Sequence, residues 1–129
     1  MEMAIIAIVT GLALIEYMTF SLRVGMARGK YGVEAPATSG DDIFERHYRV
    51  QQNTLEQLIV FLPSLWLFAQ FVSINVAAGL GLVFIAGRAF YAVSYVADPK
   101  KRTAGFLIGY LANAALILGS IGGAVRAML

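Results

Sequence analysis

Apolar residues dominate four stretches of about twenty positions in this chain, and polar residues collect in the gaps between them. The first stretch, residues 3–22, has Glu16 as its one charged residue, and its length suits the ~20 residues that a ~30 Å hydrocarbon core requires. Residues 23–49 are polar and carry Gly29, Gly32, Pro36 and Gly40 in their middle. No continuous helix survives that punctuation, so the stretch reads as a loop entered by a first helix placed at about 3–28. Ser39, Asp41 and Asp42 offer N-cap oxygens and favourable dipole charge for a second helix over about 41–72. That helix is polar from 42 to 57 and apolar from 58 to 72 apart from Ser64 and Gln70, with Pro63 predicting a kink. Ser73-Ile74-Asn75 is a short uncharged break before a third helix at about 76–96. Asp98-Pro99-Lys100-Lys101-Arg102 reads as a basic loop, and a fourth helix at about 104–126 is closed by Arg126.

The prediction is an all-α, integral membrane four-helix bundle that fills residues 1–129 as a single domain. Composition agrees: 59% of the residues are hydrophobic and only 14% charged, with mean hydropathy +0.72, where a soluble domain is nearer a quarter charged. The amino terminus lacks a basic n-region and a clean small-residue cleavage site, so the first helix is expected to be retained. Arg23, Arg28, Lys30, Arg46, Arg49, Lys100, Lys101 and Arg102 fall on one side of the membrane, against Arg126 on the other. The positive-inside rule then places both basic segments in the cytoplasm and both termini outside. Because these cations flank apolar runs, the net charge of +2 points to topology rather than to nucleic acid. Gly105 with Gly109 and Gly119 with Gly123 are each four apart in an apolar helix, which favours close contacts within or between chains. Glycine is also simply common in membrane helices.

Chemistry concentrates in residues 44–57. On a helix Arg49, Asn53 and Glu56 stand at i, i+4 and i+7 and share a face that descends toward the bilayer. An ionised side chain at membrane depth costs roughly 2.5–3.5 kcal/mol on insertion scales. Such residues therefore pair, tying helices together, or bind something. Arg88, Tyr91 and Tyr95 repeat the pattern at i, i+3 and i+7, with Arg88 needing a partner such as Glu56 and Tyr95 also suiting an aromatic belt. Cysteine is absent, so no disulfide, thiolate metal site or cysteine nucleophile is available and any thiol must come from a substrate. His47, the sole histidine, stands beside Arg46 and Arg49 and makes poor metal-site material, so no metal is expected. Glu16 suits packing glue, accepting from Asn113 or a neighbouring helix. Lys100 and Lys101 suit lipid headgroups and topology.

The run Glu45-Arg46-His47-Tyr48-Arg49 followed by Gln51, Asn53 and Glu56 resembles the signature of the MAPEG family, the membrane-associated proteins in eicosanoid and glutathione metabolism. The likeness extends over nearly the whole chain, through Arg88, Tyr91, Tyr95 and Arg102, and is that of a bacterial member in the inner membrane. It implies a homotrimer with sites between neighbouring subunits near the cytoplasmic face and glutathione as co-substrate. It assigns glutathione binding to Arg28, Arg49, Gln51, Asn53 and Glu56, with Tyr91, Tyr95 and Arg102 from the neighbouring side. Guanidinium forks match the two carboxylates of glutathione, and Glu56 matches its ammonium. The implied reaction is attack of the glutathione thiolate on a lipophilic electrophile, or reduction of a lipid hydroperoxide, in detoxification.

Two departures bear on catalysis. The leukotriene-forming branch of the family places an arginine immediately after the residue matching Arg28, where this chain has Gly29, and a tyrosine where it has Gln57. Arg102 is then the candidate catalytic cation, with Arg28 or Lys30 as substitutes. Asn53-Thr54-Leu55-Glu56 is closer to the microsomal transferase branch. Gly29 also keeps open a non-catalytic membrane binding or scaffold protein that retains the family frame.

Overall fold

A computed structural model describes residues 2–129. Four helices follow in order: α1 (Ala4–Tyr31), α2 (Asp42–Phe71), α3 (Ile74–Ala97) and α4 (Thr103–Met128), with a single 3₁₀ turn at Pro99–Lys101 before α4. Each is long and apolar enough to cross a membrane. Four spans in succession set the 32–41 linker and the 98–102 turn at one end, and both termini with the α2–α3 hairpin at the other.

Three boundaries differ from the sequence reading. The polar stretch after residue 22 remains helical as far as Tyr31, because Val24 and Ala27 keep the inward face apolar and pack with Val33 and Phe44. One mid-helix glycine costs only about 1 kcal/mol, so Gly29 is carried through. The chain leaves the helix at Gly32, where φ is 70°. At the other membrane face Ser73 alone caps α3, its Oγ accepting from the Val76 N–H at 3.1 Å, and Ile74 and Asn75 are already helical. The basic loop is largely a turn, with Asp98 Oδ1 accepting from the Lys100 N–H at 3.0 Å. Asp41 caps α2 as expected, accepting from the Phe44 N–H at 2.9 Å, and α2 continues through Pro63 without interruption.

The bundle interior is built on Ile6, Val9, Phe61, Leu65, Phe84 and Leu116, with Phe61 and Phe84 stacked at 4.0 Å between centroids. Its exterior is apolar too: Met18 and Ile59 are 69% and 70% exposed, which lipid solvates and water would not. Burial of apolar area therefore adds little between helices, and close approach and polar contacts hold them instead. The glycines supply the close approach within this chain. A Cβ at Gly105 would collide with the Tyr91 backbone, and one at Gly87 would lie 2.8 Å from the Gly109 nitrogen. Gly119 is closed by Phe68, and a Cβ at Gly123 would lie 2.7 Å from the Phe71 carbonyl oxygen. Polar contacts add to this: Trp66 Nε1 donates to Thr10 Oγ1 at 2.9 Å, and Ser120 Oγ, whose nearer acceptor is the Leu116 carbonyl at 2.6 Å, lies 3.2 Å from the Ser64 carbonyl.

Glu16 does not receive the partner expected for it. Asn113 Nδ2 donates instead to the carbonyl and side-chain oxygens of Gln57 at 3.2 and 3.3 Å. Glu16 Oε1 is buried with no hydrogen-bond partner among the described residues.

Candidate functional site

The largest fully buried side chain is Arg88, which is 0% exposed. One of its terminal nitrogens donates to Asn53 Oδ1 at 2.7 Å and Thr54 Oγ1 at 2.9 Å. Its guanidinium carbon lies 4.3 Å from the Tyr91 ring centroid. A cation deprived of water needs such acceptors and such a π face. The partner is thus not Glu56, as the sequence reading had it. Glu56 is over half exposed and faces Arg49 instead, at 3.7 Å. The reason is geometric: Asn53 and Thr54 occupy the buried flank of α2, whereas positions 49 and 56 lie on its exposed one.

Above Arg88 the helices part into an open cavity of about 550 Å³. Its walls are Arg49 and Asn53 from α2, Tyr91 and Tyr95 from α3, and Arg102, Thr103, Phe106 and Leu107 where the basic turn enters α4. Tyr91 and Tyr95 pack with ring centroids 5.5 Å apart, which stiffens that wall. The volume suits a ligand of small-peptide size. Two arginines at a mouth that continues into apolar Phe106 and Leu107 provide anion recognition beside a surface for a lipophilic group.

Of the residues singled out in the sequence, Arg49, Asn53, Tyr91, Tyr95 and Arg102 share this cavity. The other three lie outside its walls. Arg28, in the last turn of α1, donates to the Ala37 carbonyl at 2.7 Å and lies 4.9 Å over the Phe44 ring. Gln51 points to Tyr17 of α1 through a long 3.5 Å contact. Glu56 reaches the cavity only through Arg49. Sequence reasoning missed Thr103, Phe106 and Leu107 because none carries charge; their 1, 4, 5 spacing directly after Arg102 is the signal that marks one face. It also missed Thr54, whose hydroxyl is exposed as an acceptor only once Arg88 is placed. No group of three acidic, histidine or cysteine side chains suited to a metal occurs among the described residues.

Residues 6–122 match the MAPEG family. An uncharacterized protein of Synechocystis sp. is 48% identical over 115 residues, covering 89% of this chain and 84% of the relative. Microsomal glutathione S-transferase 2 of Homo sapiens is 40% identical over 120 residues, covering 92% and 81%. Leukotriene C4 synthase of Bos taurus is 38% identical over 103 residues, covering 80% and 69%. With the match spanning all four helices, the chain belongs to the MAPEG family and is an integral membrane protein that crosses the bilayer more than once.

Proposed function

We propose that the protein is a membrane-bound glutathione transferase or peroxidase that joins the glutathione thiolate to lipophilic electrophiles or reduces lipid hydroperoxides. The observation that carries this reading is the convergence of Arg49, Asn53, Tyr91, Tyr95 and Arg102 on one cavity, in a chain 40% identical to a microsomal glutathione S-transferase. In conjugation the sulfur–carbon bond forms, the bond from carbon to the leaving group breaks, and the thiol proton passes to solvent. In peroxide reduction two thiols become a disulfide while the hydroperoxide becomes alcohol and water. A free thiol has a pKa near ~8.5, so nearby guanidinium charge raises the reactive fraction at neutral pH. The active chain is the homotrimer, with the basic segments cytoplasmic in a bacterial inner membrane and the termini outside; an active phosphatase fused after Leu129 is the expected readout. A site shared between copies accounts for Arg28 and Gln51, which fall outside the cavity of their own chain.

Arg49→Ala is expected to weaken glutathione binding by about tenfold, the worth of one hydrogen-bonded charge, measured by calorimetry on the purified protein. Co-expressed Arg28→Ala and Arg49→Ala chains are expected to restore part of the wild-type affinity that each variant loses alone. No restoration would place each site within a single chain. The scaffold reading is favoured by Gly29 alone. It predicts no thiolate absorbance and no aryl halide conjugation in wild type, and an Arg49→Ala protein that behaves identically.

A further inference from the structure

A second polar feature lies on α1, on a face the cavity does not use. Arg23 and Lys30, seven residues apart, line a groove of about 490 Å³ with His47 of α2; Leu22 and Met26 form its apolar wall. No carboxylate lines it, and among the described residues neither Arg23 nor Lys30 makes an ion pair. The acids at the start of α2 are engaged elsewhere, Asp42 with Arg46 at 2.8 Å and Glu45 with the Gly40 N–H at 3.2 Å.

Depth gives the groove its meaning. At 1.5 Å per residue, α1 from Ala4 to Leu22 spans about 28 Å, a whole hydrocarbon core. Arg23 therefore stands where the headgroups begin, and Lys30 lies about 10 Å farther out. Leu22 and Met26, each 65% exposed, line the outside of the helix beside these cations, with Ile15, seven residues before Leu22 and also exposed, continuing the apolar strip below. A cationic upper end above an apolar lower end complements one amphiphile: a negative phosphate carrying an acyl chain. Free phosphate would leave the apolar half unmatched.

We propose that this groove is a binding site for an anionic phospholipid, its phosphate held among Arg23, Lys30 and His47 and an acyl chain lying along Leu22 and Ile15. Arg28 stands about 140–160° around the helix from these cations, so the inference does not rest on the glutathione reading.

The test compares retention of phosphatidylglycerol and phosphatidylcholine of matched acyl chains by the purified full chain in detergent, read by native mass spectrometry. Phosphatidylglycerol is expected to be preferred by on the order of tenfold. The Arg23→Gln, Lys30→Gln double variant is expected to lose that preference with unchanged melting, whereas Lys100→Gln, Lys101→Gln, with the same charge removed at the other basic segment, retains it. A preference that survives the first pair, or falls equally with both pairs, overturns the site. So does displacement of the lipid by excess inorganic phosphate. Should the double variant misfold, the single variants Lys30→Gln and His47→Gln are read the same way, each expected to lose part of the preference and overturning the site if neither does.

Discussion

Arg102→Ala is expected to lower kcat for conjugation of a generic aryl halide by about twenty-five-fold, the change in thiolate fraction at pH 7 when a thiol pKa returns from about 6.5 to about 8.5. Glutathione affinity is expected to stay within about threefold, because Arg49, Asn53 and the tyrosines remain to hold the tripeptide. The geometry motivates this division. Arg102 lies on the wall where the turn enters α4, with one nitrogen anchored to the Pro99 carbonyl at 2.8 Å. That anchor orients a positive charge on the cavity without burying it. Thiolate absorbance in the ultraviolet, recorded with glutathione bound, separates the roles: a variant that binds but forms no thiolate identifies Arg102 as the activating cation. Unchanged turnover would reject it and transfer the role to Arg28. Gly29 gives an independent lever, since a side chain built there meets nothing within 4 Å. Its place in the last turns of α1 is open to a cation without repacking.

Gly105→Ala is expected to destabilise the folded protein by about 1–3 kcal/mol, the cost of overpacking a close contact. Here the obstacle is backbone: the new Cβ would meet the nitrogen and Cα of Tyr91, and the Phe90 ring behind them. A flexible side chain can swing away, but a helix backbone moves only with its whole helix. The strain should therefore part α3 from α4 at the level of Tyr91, so glutathione affinity falls along with the melting temperature. Gly122→Ala is the control, since its Cβ meets nothing within 4 Å and gains about 0.5–1 kcal/mol of helix propensity. Equal melting temperatures for the two variants would show that the α3–α4 contact is looser than described.

Hydrophobic run length alone made the four spans legible, because a bilayer imposes one length on every crossing. The end of α1 was harder to read. Arg23, Arg28 and Lys30 look like loop residues when polarity is averaged, yet Val24 and Ala27 keep an inward stripe only a three-dimensional partner such as Phe44 gives a purpose. Helical spacing put Arg49 with Asn53 and Tyr91 with Tyr95 on shared faces, and the family resemblance added Arg102; that these faces meet across one cavity is visible only in the fold. The pairing beneath it was not legible either, since spacing places Glu56, Asn53 and Arg88 within helices but says nothing of how α2 is turned against α3. Glu56 was the obvious counter-charge for Arg88, and neutral Asn53 and Thr54 occupy that position instead.

Lipid-bathed helices that meet through aliphatic side chains can slide and roll against one another at small cost, because every azimuth offers similar contacts. Arg88 removes that freedom. Its two acceptors sit on adjacent residues of α2, 100° apart around the helix, so the guanidinium reaches both at one setting only, and rolling α2 by half a turn would carry both away and strand it in hydrocarbon. The bundle thus has a keyed joint at the depth where apolar packing is least able to define orientation. The key lies directly under the wall formed by Asn53 and Tyr91, so the mutual setting of Arg49 and Tyr95 is held while the outer faces of the same helices remain free to conform to a changing lipid.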